Sequence, residues 1–309
     1  MTQVARSLAS SSRSVLGFHL NALRGSGVLL TAIASLLWGS TLVASAIGLR
    51  YTNPYNLVFL RFTAASAAII IPTLLLNRKY DISHELGRAT TWALAAIYAS
   101  GFLLQYVGQD LANASDATLL SNLAPTLIPI AAFVLLKERL SNARLAASAL
   151  GLLGLVLVAS PKLRLSSSTL LGDLLLFGAS LCYAFFIVLS KRLNASSISS
   201  AFAITICTAG FLAPVAVLLG GLNPFDVRME PVGWASIVYL GVPCSVIAIS
   251  LYLKGLNSIT ASQSGTLLLI ELPVGLILAI LVLGEPLGLF AAAGAAALSA
   301  AIILSSIQP

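Results

Sequence analysis

Residues 261–285 read ASQSGTLLLIELPVGLILAILVLGE, and residues 114–138 read ASDATLLSNLAPTLIPIAAFVLLKE. Both open with Ala-Ser, run through a long apolar stretch that contains proline, and close on glutamate, at a constant offset of 147 residues. The hydrocarbon of a bilayer is about 30 Å thick and a helix rises about 1.5 Å per residue, so about 20 apolar residues make one span. Both stretches have that length. A second correspondence starts each half: Gly27-Val-Leu-Leu and Ala34-Ser-Leu-Leu-Trp38 stand against Gly172-Asp-Leu-Leu and Ala179-Ser-Leu-Cys-Tyr183, offset by 145 residues.

Working outward from these runs, apolar segments fill most of the 309 residues, at approximately 27–49, 56–76, 90–109, 117–136, 143–160, 170–190, 201–220, 232–253, 264–283 and 288–306. The composition agrees: 58% of residues are hydrophobic and 9% charged, with a mean hydropathy of +0.99. A soluble domain has about 45–50% apolar and about 25% charged residues. The expected fold class is therefore an all-α integral membrane protein of ten transmembrane helices. Connections are short and no Gly/Ser-rich linker interrupts them, so an active site in a separate soluble domain is excluded.

Cys182, Cys207 and Cys244 lie inside apolar spans without CxxC spacing and read as packing residues, not a disulfide or a metal site. His19 and His84 fall outside the spans, which removes the commonest metal ligand from the membrane interior. No metal and no cofactor is expected. If the N-terminus is cytoplasmic, twelve of the 17 Lys and Arg residues face the cytoplasm. The positive-inside rule then places both termini there, in the cell's inner (plasma) membrane. The net charge of +7 requires no nucleic acid. Residues 1–26 form a basic tail suited to anionic headgroups. An organellar transit peptide, and with it an organellar membrane, is the second reading of that tail, because no acid precedes Asp81.

Five spans per half is an odd number, so the second copy enters the bilayer from the opposite side. The halves, residues 27–160 and 161–309, become inverted repeats about an axis in the membrane plane. That is the architecture of alternating access. The chain resembles the EamA family of the drug/metabolite transporter superfamily across residues 27–306. The resemblance is carried by Ala34-Ser-Leu-Leu-Trp38-Gly39-Ser40, by Leu60-Arg61-Phe62, and by Leu123-Ala-Pro125 through Leu135-Leu-Lys-Glu138-Arg-Leu. In the second half it is carried by Glu271-Leu-Pro273 through Leu283-Gly-Glu285-Pro-Leu. It implies a ten-helix fold, a central cavity, and export or exchange of amino acids, related metabolites or amphipathic compounds. The chain departs from the family pattern at Lys137, where Gly is usual, and at Leu272, which separates Glu271 from Pro273.

Glu271 lies about seven residues into the ninth span, about 10–11 Å from its start. A carboxylate at that depth faces a bundle interior or a wet cavity. Two readings stand: a substrate-binding or proton-coupling group, or a protonated structural Glu bonded to a carbonyl freed by Pro273. Arg61 sits only about 7–8 Å inside the second span, within snorkelling reach of the headgroups. Outer-rim anchoring or gating is the first reading and contact with a substrate carboxylate the second. Pro125, Pro129 and Pro273 break helices at corresponding places in the two halves, which points to a transporter site between them. Trp38, Tyr98, Gln105, Tyr106, Asn122, Tyr183 and Tyr252 are the polar and aromatic candidates for its wall, against lipid anchoring or core packing for any one of them.

Glu138 and Glu285 end helices at the negative pole of the macrodipole and need compensation. Lys137 and Arg139 are local candidates for Glu138, whereas Glu285 needs a partner from another helix. Both read as structural, with a gate contact as the alternative. Asp116 opens the fourth span as a helix cap. The Ala- and Gly-rich fifth and tenth spans are packing helices, with pairs such as Ala147 and Gly151, and offer a dimer face. The oligomer expected is a monomer or a homodimer. Sequons at Asn113 and Asn194 decide nothing about compartment.

The sequence contains no GxxxxGK[ST] loop, which argues against an ATP-driven pump and for a gradient-driven carrier. An intramembrane enzyme would need a nucleophile with a His or a cluster of carboxylates deep in the bundle, and a channel would need a ring of charges. Neither pattern is present in the spans. Arg61 is the only Lys or Arg within a span away from its ends, so sugar phosphates and nucleotide sugars are poor cargo. The expected partners are the lipid bilayer and a small neutral, zwitterionic or cationic solute. Amino acids come first, with amphipathic or cationic drugs the alternative.

Overall fold

The computed structural model describes residues 25–75, 80–112, 120–139, 141–159, 170–222, 229–283 and 288–306. Its regular elements are helices: α1 (Gly25–Gly48), α2 (Pro54–Leu75), α3 (Ile82–Leu86), α4 (Ala89–Leu111), α5 (Ala124–Leu136), α6 (Asn142–Ala159), α7 (Leu170–Arg192), α8 (Ile198–Leu218), α9 (Pro231–Leu256), α10 (Ala261–Val282) and α11 (Leu289–Ser306). Six of them, α1, α2, α7, α8, α9 and α10, are long and apolar enough to cross a membrane. Shorter apolar helices occupy Ala124–Leu136, Leu145–Leu157 and Ala292–Leu304. The protein is a multi-pass helical membrane protein. Glu285, Asp116, the sequon at Asn113, His19 and residues 1–24 of the tail lie outside the described residues.

The bundle is apolar outside as well as in its core, and polar side chains are buried within it. Leu74, Leu75, Leu218, Leu281 and Leu289 are exposed on the outside, while Arg61, Ser180, Thr205, Thr208 and Ser264 are buried. Lipid tails accept aliphatic side chains at no cost, whereas a hydroxyl in hydrocarbon must find an acceptor. Thr205 and Thr208 therefore donate to the Ala201 and Ile204 carbonyls, each at 2.8 Å one turn back in α8.

Helix starts follow ordinary capping chemistry. Ser197 accepts from the Ser200 N–H at 2.9 Å to open α8, and Thr260 accepts from the Gln263 N–H at 3.1 Å to open α10. At the end of α5, Lys137 adopts φ 56°, the left-handed conformation that glycine takes without cost.

Several helix contacts exchange when α1 is swapped with α7, α2 with α8, α4 with α9, α5 with α10 and α6 with α11, although the packing of α10 on α6 has no equal counterpart between α5 and α11. Thus α4 packs on α7 as α1 does on α9, and α5 packs on α7 as α10 does on α1, while α2–α8, α5–α10 and α6–α11 pair directly. Two close crossings sharpen the correspondence. A Cβ on Gly255 of α9 would stand 2.8 Å from the Gly27 carbonyl of α1, and one on Gly108 of α4 would stand 3.0 Å from the Gly172 carbonyl of α7. Only glycine lets the backbones approach so closely. Two glycines of α6 pack inside the chain: Gly151 lies against Leu269, and Gly154 against the Gly294 carbonyl of α11.

Candidate functional site

Three helices are interrupted around one cavity. α1 breaks at Ser40, a regular helix resumes at Ala124 after Asn122 and Leu123, and α10 breaks at Leu269 and Ile270 before restarting at Glu271. At each break the backbone N–H bonds three residues back, Ser40 to the Leu37 carbonyl at 3.3 Å, Leu123 to Leu120 at 3.3 Å and Ile270 to Leu267 at 3.1 Å, the tighter turn by which a helix changes course. The cavity between the breaks has a volume of about 100 Å³.

Of the residues singled out by sequence, Trp38, Arg61, Tyr98, Gln105, Asn122, Pro125, Tyr183 and Glu271 line this cavity. Among the further wall residues, Thr41, Phe102, Ser121 and Phe186 carry no signal in the sequence that separates them from core packing. Their neighbours point to them only in retrospect, since Phe102 is one turn from Tyr98 and Phe186 is three residues from Tyr183. Tyr98 stacks on Phe186 with ring centroids 4.3 Å apart, and Phe102 meets Tyr98 and Tyr183 edge-on at 4.8 and 5.3 Å. Offset and edge-on pairs of this kind hold one another rigidly. Tyr183 donates to the Gln105 Oε1 at 2.6 Å, which turns the amide nitrogen of Gln105 away from that ring.

Tyr106 and Tyr252 stand behind the wall. Tyr252 is fully buried, donates to Ser264 Oγ at 2.8 Å and packs on Trp38 with centroids 5.1 Å apart. Tyr106 accepts a hydrogen bond from Arg61 Nη1 at 2.8 Å. Pro129 and Pro273 also lie off the cavity; they sit within their helices, Pro273 in the first turn of the restarted half of α10.

Arg61 does not snorkel to the headgroups. It is 0% exposed and turns into the bundle, because its donors find partners there. Nε donates to Ser245 Oγ at 2.7 Å, Nη1 to Tyr106, and Nη2 reaches the Cys244 carbonyl at 3.5 Å. The guanidinium carbon lies 4.5 Å from the centre of the Phe102 ring, a cation–π distance. The α9 partners are supplied by a π-helical turn over Val242–Ile247, which holds Pro243. Proline has no N–H to give to the preceding turn, and the Ala248 N–H reaches back to the Pro243 carbonyl rather than to Cys244. The Cys244 carbonyl then accepts the Trp38 indole N–H at 2.8 Å.

Glu271 is the first residue of the restarted half-helix, where the macrodipole favours a carboxylate. Among the described residues no hydrogen bond or ion pair reaches its carboxylate, and Arg61 on the same cavity does not bridge to it. The described residues contain no group of three His, Cys, Asp or Glu placed to hold a metal.

Glu138 is compensated from an unexpected direction. Its carboxylate accepts the Ala261 N–H at 2.9 Å, the Ser262 N–H at 3.0 Å and the Ser262 hydroxyl at 2.7 Å, capping α10. Neither Lys137 nor Arg139 is its partner; the pole that matters is the positive start of another helix. Beside it, Lys191 donates to the Leu256 carbonyl at 2.8 Å and to the Ile259 carbonyl, holding the negative end of α9.

Interrupted helices around an aromatic and polar cavity, inside a bundle whose outside is aliphatic, are the construction of a membrane transporter. The chain belongs to the EamA-like transporter family, whose model matches residues 25–160 and again 170–307. An uncharacterized transporter of Archaeoglobus fulgidus is 30% identical over 230 residues, 71% of this chain and 76% of that protein. The uncharacterized transporter YyaM of Bacillus subtilis is 23% identical over 278 residues, 88% of this chain and 90% of that one. A solved crystal structure shares the fold with a TM-score of 0.78, covering 92% of this chain and 97% of its own at 20% identity.

Proposed function

We propose that this protein is a secondary carrier that moves small metabolites, amino acids foremost, by alternating access around the central cavity. The observation that carries the proposal is Glu271: a carboxylate at a helix break, opening on an aromatic-walled cavity and held by no described partner. Such a group is free to bind a substrate ammonium or to carry a proton. The reading comprises a basic tail over residues 1–26, ten spans in two inverted five-helix repeats, 27–160 and 161–309, and both termini in the cytoplasm of the inner membrane. The exchangeable helix pairs and the matched glycine crossings support the repeats, since a two-fold relation makes contacts recur in pairs or map onto themselves. Transport is export or exchange.

A carrier of amphipathic amines is the second reading, favoured by the same carboxylate among aromatic rings. Arg61 in the same wall weighs against it, because a lone cation would meet a fixed positive charge. The test is counterflow in proteoliposomes preloaded with mixed amino acids, comparing the wild type with Glu271→Gln at several pH values. Saturable uptake that the variant loses, or that loses its pH dependence, supports the carrier. Saturable uptake of amines alone would move the assignment to the second reading, and absence of any saturable flux would overturn it.

A further inference from the structure

We propose that Arg61 forms a carboxylate-binding subsite of the cavity, so that the cargo carries a carboxylate held by the guanidinium. The inference rests on the carrier reading above and names the chemistry that the cavity selects. Arginine stays protonated in proteins, and Arg61 is wholly buried in a bundle that spans hydrocarbon. A buried cation is tolerated where hydrogen bonds and a counter-charge compensate its lost hydration. Arg61 has the first and lacks the second: its partners are a serine hydroxyl, a tyrosine hydroxyl, a backbone carbonyl and an aromatic face, all neutral. Among the described residues no carboxylate forms an ion pair with it.

Its orientation is built, not incidental. Ser245 is itself pinned by donating to the Leu240 carbonyl at 2.9 Å, so it offers its lone pair to Arg61 Nε. Tyr106 takes one Nη1 proton, and Phe102 supports the plane from one side. A guanidinium has more N–H donors than these contacts use, and the remaining ones belong to the two terminal nitrogens. Two terminal nitrogens with a donor each to spare can hold a carboxylate through two parallel bonds. Glu271 lines the same cavity without an ion pair to Arg61, so one cavity carries an acidic and a basic group that do not neutralise each other directly. A zwitterion can place its carboxylate on Arg61 and its ammonium toward Glu271, with its side chain against Tyr98, Phe102 and Phe186.

The test uses the full chain in proteoliposomes and two matched sets of competitors in the counterflow assay: L-leucine, L-leucinamide and 4-methylpentanoate, and L-phenylalanine, L-phenylalaninamide and 3-phenylpropanoate. Within a set, the acid is expected to compete at a concentration at least about tenfold lower than the amide, since a site built to bond a group rejects the analogue without it. The acid lacking an amine separates the contribution of Arg61 from that of Glu271. In Arg61→Gln the preference for acid over amide should collapse. Should that variant fail to fold, Ser245→Ala and Tyr106→Phe each remove one orienting bond and keep the charge. They are expected to raise KM for the acid about threefold or more with the maximal rate little changed, while Ser245→Thr restores it. Equal competition by acid and amide, a preference that survives in Arg61→Gln, or flux of amines alone would overturn the subsite and leave the carrier standing. Absence of saturable flux for every solute would instead overturn the carrier reading.

Discussion

α10 has two halves, and each begins beside a carboxylate. Glu138 reaches over from the end of α5 to the first half, Ala261–Leu268, and spends both oxygens on two N–H groups and a hydroxyl. Glu271 is the first residue of the second half, and its oxygens meet no described partner. The two groups share a residue type and a place at the positive end of a helix. They differ in whether the protein has used their lone pairs. A used carboxylate is a structural cap; an unused one beside a cavity is available to a ligand or a proton.

The most damaging challenge to this comparison is Glu271→Gln. It should lower counterflow by more than about tenfold or abolish its pH dependence, while the thermal melting of the purified protein in detergent changes little. An unchanged flux and pH profile would make Glu271 a second cap and end the contrast. Glu138→Ala should do the reverse and destabilise the protein by about 1–2 kcal/mol in detergent melts, because it leaves the Ala261 and Ser262 N–H groups at the start of α10 without their acceptor. A variant that melts normally would show that the cap is dispensable.

A smaller effect is expected at Lys191, the cation on the other side of the same turn. Lys191→Met should cost about 1 kcal/mol, the order of a cation lost from the negative end of a helix. Its combination with Glu138→Ala should fall short of the sum, since both hold the α9–α10 turn. The smallest change concerns Lys137. At φ 56°, Lys137→Gly should stabilise by about 0.5–1 kcal/mol, read as a higher melting temperature with transport unaltered. A loss of stability there would mean that the lysine side chain contributes more than its backbone costs.

Much of the candidate site was legible before any coordinates. Trp38, Tyr98, Gln105, Asn122, Pro125, Tyr183 and Glu271 announce themselves because polar and aromatic groups inside apolar spans are expensive or conspicuous, and they do share one cavity. Tyr106 and Tyr252 were equally conspicuous and lie behind the wall, because a span has several faces and composition does not say which face turns inward. Arg61 reads from its distance to the span end as a headgroup anchor. It is instead the centre of a network whose partners, Tyr106, Cys244 and Ser245, lie 45, 183 and 184 residues away. No local pattern carries that information.

Span length, the alternation of apolar runs with short turns and the self-similarity of two halves are properties of the chain alone. Hydrocarbon thickness and the cost of unpaired backbone then dictate a helical membrane bundle from the sequence. What only the tertiary structure decided is how each polar group is compensated. The π-turn around Pro243 presents a carbonyl and a hydroxyl to α1 and α2, Glu138 caps a helix of the other half, and Glu271 is left open. The physical reason is common to all three: in a medium without water, a polar side chain takes its meaning from its partner. The partner is set by packing between helices remote in sequence.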